Sequence, residues 1–112
     1  METLNVEKKG DLCIIRYSGE LTLEVIDKLK QQLQDYLATE ECPKLVMDLS
    51  QTVFLDSSGI GFLVHLNNRK KSNNKSFYLL SPSPQVRKTL SLVKLIEYFK
   101  VVDSEQELEG LQ

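Results

Sequence analysis

The chain has 112 residues, enough for one domain with a hydrophobic core of its own. Apolar residues make up 41% and charged residues 27%, the balance of a globular protein and not of a disordered one. Fourteen Lys and Arg against 16 Asp and Glu leave a net charge of −2, which argues against direct nucleic-acid binding. No apolar run approaches the ~20 residues that a membrane span needs, so membrane insertion is not expected.

The segment Met1-Glu2-Thr3-Leu4-Asn5 is neither basic nor followed by an apolar signal core, and a cytoplasmic protein is expected. Leu4 to Lys8 and Leu12 to Tyr17 read as strands joined through Lys9-Gly10-Asp11, a hairpin. Gly19-Glu20-Leu21-Thr22 ends the second strand, with Thr22 as N-cap of a first helix. Val25, Ile26, Leu29, Leu33, Tyr36 and Leu37 recur at helical spacing and form its apolar face. Pro43 precedes a third strand, Leu45 to Leu49, whose apolar run suits a parallel strand buried on both faces.

A second helix runs from the Asp56-Ser57-Ser58-Gly59 junction to about Ser72, with Asp56 as its cap and Asn73-Asn74 as its stop. Phe77 to Leu80 is a fourth strand. Ser83 caps a third helix with Pro84 in its first position, and Val86, Leu90 and Val93 mark the inner face. Phe99 to Val102 is a fifth strand, and Ser104 with Glu107 forms a capping-box pattern that opens a short terminal helix. The order β-β-α-β-α-β-α-β-α requires an α/β fold with crossover helices on a mixed, mostly parallel sheet, and residues 1–112 read as a single domain.

Two cysteines are too few for a disulfide framework. Cys13 reads as a core residue of its strand and Cys42 as a loop thiol. With His65 they lack the spacing of a metal site, and no metal or other cofactor is expected. The run Arg69-Lys70-Lys71, with Lys75, reads as a solvated helix terminus whose cations suit the dipole.

Catalysis finds little support. Ser57 has no base within reach, because His65 lies eight residues on, about 12 Å along the same helix. There is no Gly-x-Ser-x-Gly elbow and no phosphate-binding loop. No catalytic residue is assigned and the protein is read as a non-enzyme. What stands out is the junction itself. Small residues at Ser57, Ser58, Gly59 and Gly61 leave the start of the helix with little cover, open to a partner. Phe62 and Leu66 form a second apolar pair, which is either a greasy patch beside the serines or is covered by a neighbouring helix.

At these residues the chain resembles a stand-alone STAS domain of the bacterial anti-sigma factor antagonist (anti-anti-sigma factor) family. The matching segments are Ser18-Gly19-Glu20-Leu21, Val46-Met47-Asp48-Leu49-Ser50, Phe54-Leu55-Asp56-Ser57-Ser58-Gly59-Ile60-Gly61, Ser83-Pro84-Gln85-Val86-Arg87 and Asp103-Ser104-Glu105. The resemblance implies a STAS-like sheet of about five strands with about four helices packed mainly on one face. It also implies that Ser57 is a phosphoacceptor. The unphosphorylated protein would bind an anti-sigma factor that is also a serine kinase, releasing the sigma factor and so regulating transcription. Phosphorylation would end that binding, and a serine phosphatase would reset it. Partner-contacting residues would be Thr22, Asp56, Ser57, Ser58, Gly59, Gly61, Phe62 and Leu66. Thr22 stands where members of the family often carry an aspartate. The alternative on the same fold is a scaffold or subunit of a stress-signalling or lipid-transport complex that is not phosphorylated.

Overall fold

The computed structural model describes residues 3–38 and 42–111, with the side chains of the first helix described through Gln34. Eleven elements follow one another: β1 (Thr3–Lys9), β2 (Leu12–Leu21), α1 (Leu23–Ala38), β3 (Lys44–Asp48), β4 (Thr52–Leu55), α2 (Ser57–Ser72), β5 (Ser76–Leu80), α3 (Pro84–Leu92), a 3-10 turn (Ile96–Tyr98), β6 (Lys100–Val102) and α4 (Glu105–Glu109). The sheet runs β1-β2-β3-β5-β6, with β4 off this path against the C-terminal part of β2. Among the described residues only the β1–β2 hairpin is antiparallel. Gly10, at φ 57°, supplies the left-handed residue in its turn.

Six strands replace the expected five. The sixth is β4, which pairs Gly19, Glu20 and Leu21 of β2 with Thr52, Phe54 and Leu55 across an irregularity at Gly19/Glu20. Thr52 anchors it: its hydroxyl donates to the Tyr17 carbonyl at 3.0 Å, and its own carbonyl accepts from the Ser83 hydroxyl at 2.6 Å. That extra pairing carries β2 on to Leu21, four residues past its expected end, and brings the start of α1 beside the start of α2.

Alternation along the strands divides the core. Cys13, Ile15 and Tyr17 of β2, Leu45 and Met47 of β3, and Phe77 and Leu79 of β5 face α1, α2 and α3 in the larger cluster. Leu12, Ile14, Val46 and Leu80 face the other way and meet Leu108 of α4. Arg16 continues this second face. It binds Asp48 at 2.8 Å, Glu7 at 3.0 Å and Glu105 at 2.6 Å, joining β1, β2, β3 and α4. Burial opposes its charge, but hydrogen bonds to Asp48, Glu7 and Glu105 outweigh that and raise its pKa.

The helix ends follow the sequence closely. The Ser83 hydroxyl accepts from Val86 N–H with Pro84 in the first turn, and Asn74 takes a left-handed φ of 60° after α2. Ser104 accepts from Glu107 N–H, while Glu107 reaches back to Asp103 N–H, one residue before the cap. Ile26, Leu29 and Leu33 are buried on α1 as the periodicity required, while the side chains of Tyr36 and Leu37 lie outside the described ones.

Three expectations need correction. Val93 is exposed, because α3 ends at Leu92 and the chain turns there. Lys70 is not a solvated helix-end cation. It is 3% exposed and its ammonium donates to the Cys42 carbonyl at 3.3 Å. Cys42 is not a loop thiol but is buried in a disulfide with Cys13.

Phe77 lies at the centre of the larger core, 2% exposed and edge-on to Phe99. Phe77→Ala is expected to cost about 3–5 kcal/mol through lost burial and the cavity left behind. A urea denaturation series of the two proteins measures that difference.

Candidate functional site

The strand β4 delivers the chain to Asp56 in extended backbone, and α2 begins at the next residue. A helix start leaves backbone N–H groups without partners. The Asp56 carboxylate supplies one, its Oδ1 accepting from Gly59 N–H at 2.9 Å. Its Oδ2 accepts from Leu23 N–H at 3.0 Å, and Leu23 is the first residue of α1. One carboxylate thus caps two helices. Thr22 keeps the N-cap position of α1, its carbonyl accepting from Ile26 N–H, but the side chain that caps Leu23 comes from Asp56.

The backbone closes the same joint, with Asp56 N–H donating to the Leu21 carbonyl at 3.3 Å. Gly59 lies against that carbonyl so tightly that a Cβ would stand 2.2 Å from its oxygen. Gly59 is buried and its small size is a demand of the fold. The hydrogen bond from Leu23, then that from Gly59, hold the Asp56 carboxyl below its ordinary pKa. An aspartate with both oxygens committed and a lowered pKa is a poor proton acceptor for the adjoining serine.

Ser57 follows on the outside of this joint and is exposed, whereas Ser58 is half-buried. Gly61 is exposed, and a Cβ there would meet nothing within 4 Å. Leu23, Ile26, Ser58, Gly61 and Phe62 line a cleft of about 310 Å³ between α1 and α2, with Asp27, Lys30 and His65 also on its walls. His65 is exposed, two turns along α2 from Ser57.

Of the two readings of Phe62 and Leu66, the structure has the covered one. Phe62 and Leu66 are 3% and 1% exposed, packed into the larger core. They do not offer a side chain to a partner, although Phe62 contributes to the cleft lining. The exposed apolar groups near Asp56 are Leu23, 64% exposed, on the α1 side and Val53 and Phe54, 53% and 47% exposed, on the strand that leads to Asp56. Leu23 carries a weak signal in sequence, an apolar residue at a helix start outside the inward-facing set. Phe54 carries none, because β4 alternates irregularly, with Thr52 and Leu55 inward and Val53 and Phe54 outward.

A mixed sheet with three helices on one face and one on the other, and a capped Asp-Ser-Ser-Gly helix start at its rim, is the STAS architecture. The STAS domain family model matches residues 3–108, and the chain belongs to that family. It is 27% identical over 104 residues to the anti-sigma F factor antagonist of Paenibacillus polymyxa, across 91% of this chain and 87% of the relative. A crystal structure of a candidate anti-sigma factor antagonist from Thermotoga maritima superposes with a TM-score of 0.87 at 26% identity, covering 96% of this chain and 92% of that one. The Bacillus protein SpoIIAA, solved in its phosphorylated form, gives a TM-score of 0.76 at 19% identity over 98% of this chain and all of its own, a likeness of fold alone.

The joint at Asp56 has two measurable consequences. Its folded pKa lies below the ordinary value of 3.8, so the stability its charge contributes is complete above that value and is lost as pH falls through the folded one. Asp56→Ala is expected to melt lower at neutral pH and to show a shallower loss of melting temperature below about pH 4. Gly59→Ala must displace the Leu21 backbone and is expected to cost about 2–3 kcal/mol, read from chemical denaturation.

Proposed function

We propose that this protein is an anti-sigma factor antagonist whose unphosphorylated form binds an anti-sigma factor with serine kinase activity and releases the sigma factor held by it. Phosphorylation of Ser57 switches that binding off, and a serine phosphatase restores it. The protein acts as a binding module and a kinase substrate. The observation that carries this reading is an exposed serine as the first residue of a helix whose Gly59 N–H is already taken by the neighbouring Asp56 carboxylate. The relatives named as anti-sigma factor antagonists support it.

The electrostatics of the switch follow from that geometry. A phosphate at Ser57 adds nearly two negative charges. The helix dipole favours an anion there, so the fold tolerates the modification. The Asp56 carboxylate holds the capping position, so the phosphate stays on the exposed edge that also carries Leu23 and Phe54. A partner fitted to a neutral hydroxyl flanked by those groups then meets an unpaired, hydrated charge. A cost of about 4 kcal/mol weakens binding roughly a thousandfold.

Gly61 fits the same surface. A glycine inside a helix costs about 1 kcal/mol relative to alanine, and nothing within this chain crowds the position. Its bare backbone leaves room in the cleft for a partner to approach α2 closely.

Incubation with candidate anti-sigma factor kinases and ATP, followed by mass-spectrometric mapping, should place one phosphate on Ser57. Ser57→Ala should take up none and still bind the unmodified kinase partner. Ser57→Asp should keep its melting temperature and bind far more weakly. Phosphate on another residue, or full binding by Ser57→Asp, overturns the reading. Gly61→Ala should raise stability by up to about 1 kcal/mol while weakening partner binding, a pairing of effects that a purely structural glycine does not give.

A further inference from the structure

We propose that the Cys13–Cys42 disulfide is a redox-operated lock on the fold, closed by oxidation and opened by a dithiol reductant only after local unfolding. This rests on a different part of the molecule from the Ser57 site and stands or falls separately.

The bridge joins β2 to the residue two positions before β3, across a sequence separation of 29. That span contains α1, the crossover between two parallel strands. The first β2–β3 partners are Leu12 with Lys44 and Cys13 with Leu45, and Lys44 N–H donates to the Asp11 carbonyl at 3.3 Å. The disulfide therefore closes the crossover at the point where the strand register begins. A cross-link over such a span removes much of the freedom of the unfolded chain.

Two further observations make the bond a variable element and not an obligatory one. The core is large: 20 buried residues form the main cluster without counting the smaller one behind the sheet. A domain of this size and burial does not need a disulfide to fold. In addition, Cys13 and Cys42 are 1% and 2% exposed, so no reductant reaches either sulfur in the closed structure. Lys70 donates to the Cys42 carbonyl from the last turn of α2, which seals this end of the joint. Ser57 lies at the opposite end of α2, about 20 Å away along the axis. Redox state thus sets the lifetime of the fold without reshaping the surface around the serine.

The chemistry balances as ordinary thiol–disulfide exchange. One thiolate of the dithiol attacks a bridge sulfur and forms a mixed disulfide, releasing the other cysteine as a thiolate that takes a proton. The second thiol of the reductant then closes on the first, freeing the remaining cysteine. Two electrons and two protons pass to Cys13 and Cys42, and the reductant leaves as a cyclic disulfide.

The test compares the full chain after treatment with oxidised glutathione and after reduction by dithiothreitol in urea followed by refolding in the reductant. Alkylation under denaturing conditions and mass spectrometry should count no free thiols in the first and two in the second. The reduced protein should fold, with the same circular dichroism spectrum, and melt about 10 °C lower. Dithiothreitol should open the bridge on the order of a hundredfold more slowly in native buffer than in urea. A double variant, Cys13→Ala with Cys42→Ala, should not respond to dithiothreitol. Free thiols persisting under the oxidant, equal melting temperatures, a reduced chain that does not fold, or equal rates of reduction in buffer and urea would each overturn the proposal. The comparison of oxidised with reduced native sequence decides the question even where the double variant fails to fold.

Discussion

The carboxylate of Asp56 governs the geometry of one whole edge of this molecule. Each of its oxygens satisfies a backbone N–H at the start of a different helix, Leu23 of α1 and Gly59 of α2. Two helices that approach the sheet from separate points in the chain therefore begin side by side. The contact is tight enough that only a glycine fits at position 59 against the Leu21 carbonyl. A charged group is favoured at such a place, since both helix ends present positive dipoles and unsatisfied donors. The next residue, Ser57, is consequently placed on the rim as the first residue of α2 and is exposed.

The two faces of the sheet are built unequally. The face toward α1, α2 and α3 carries most of the buried apolar side chains, and the reverse face is closed by the short α4 and by the charge cluster around Arg16. Within the main layer α2 spans the domain from the Asp56 joint to the buried Lys70 and the disulfide-bonded segment beside it. Its N-terminal end presents a cleft and exposed apolar groups. Its C-terminal end is sealed. The two ends differ physically: the open end carries the positive end of the helix dipole, and the closed end has a cross-link and a cation that donates to an internal carbonyl.

Much of this was readable from residue order. Hairpin, alternation of strands and helices, the caps at Asp56, Ser83 and Ser104 and the left-handed stop at Asn74 all follow from local chemistry, in which a side chain acts on backbone within a few residues of itself. The motif around Ser57 was legible for the same reason. The short strand β4 was not, because four residues with irregular alternation become a strand only when the end of β2 lies beside them.

Chain order thus determined the helices and every strand but β4, the caps that open α2, α3 and α4, and that the serine after Asp56 occupies a helix start. Tertiary structure decided which sides of those elements see water. On α2 the buried set Gly59, Phe62, Leu63, Leu66 and Lys70 recurs at i, i+3, i+4, i+7 and i+11, a single stripe that faces the sheet and α1. The half-buried Ile60 and Val64 flank that stripe and offer a competing apolar set in the sequence, so packing alone decided that Phe62, Leu66 and Lys70 went inward while Leu23 and Phe54 were left outside. Cys13 and Cys42 met for a similar reason: their pairing depends on a parallel strand register that a crossover helix closes from 29 residues away, and nothing local to either cysteine specifies it.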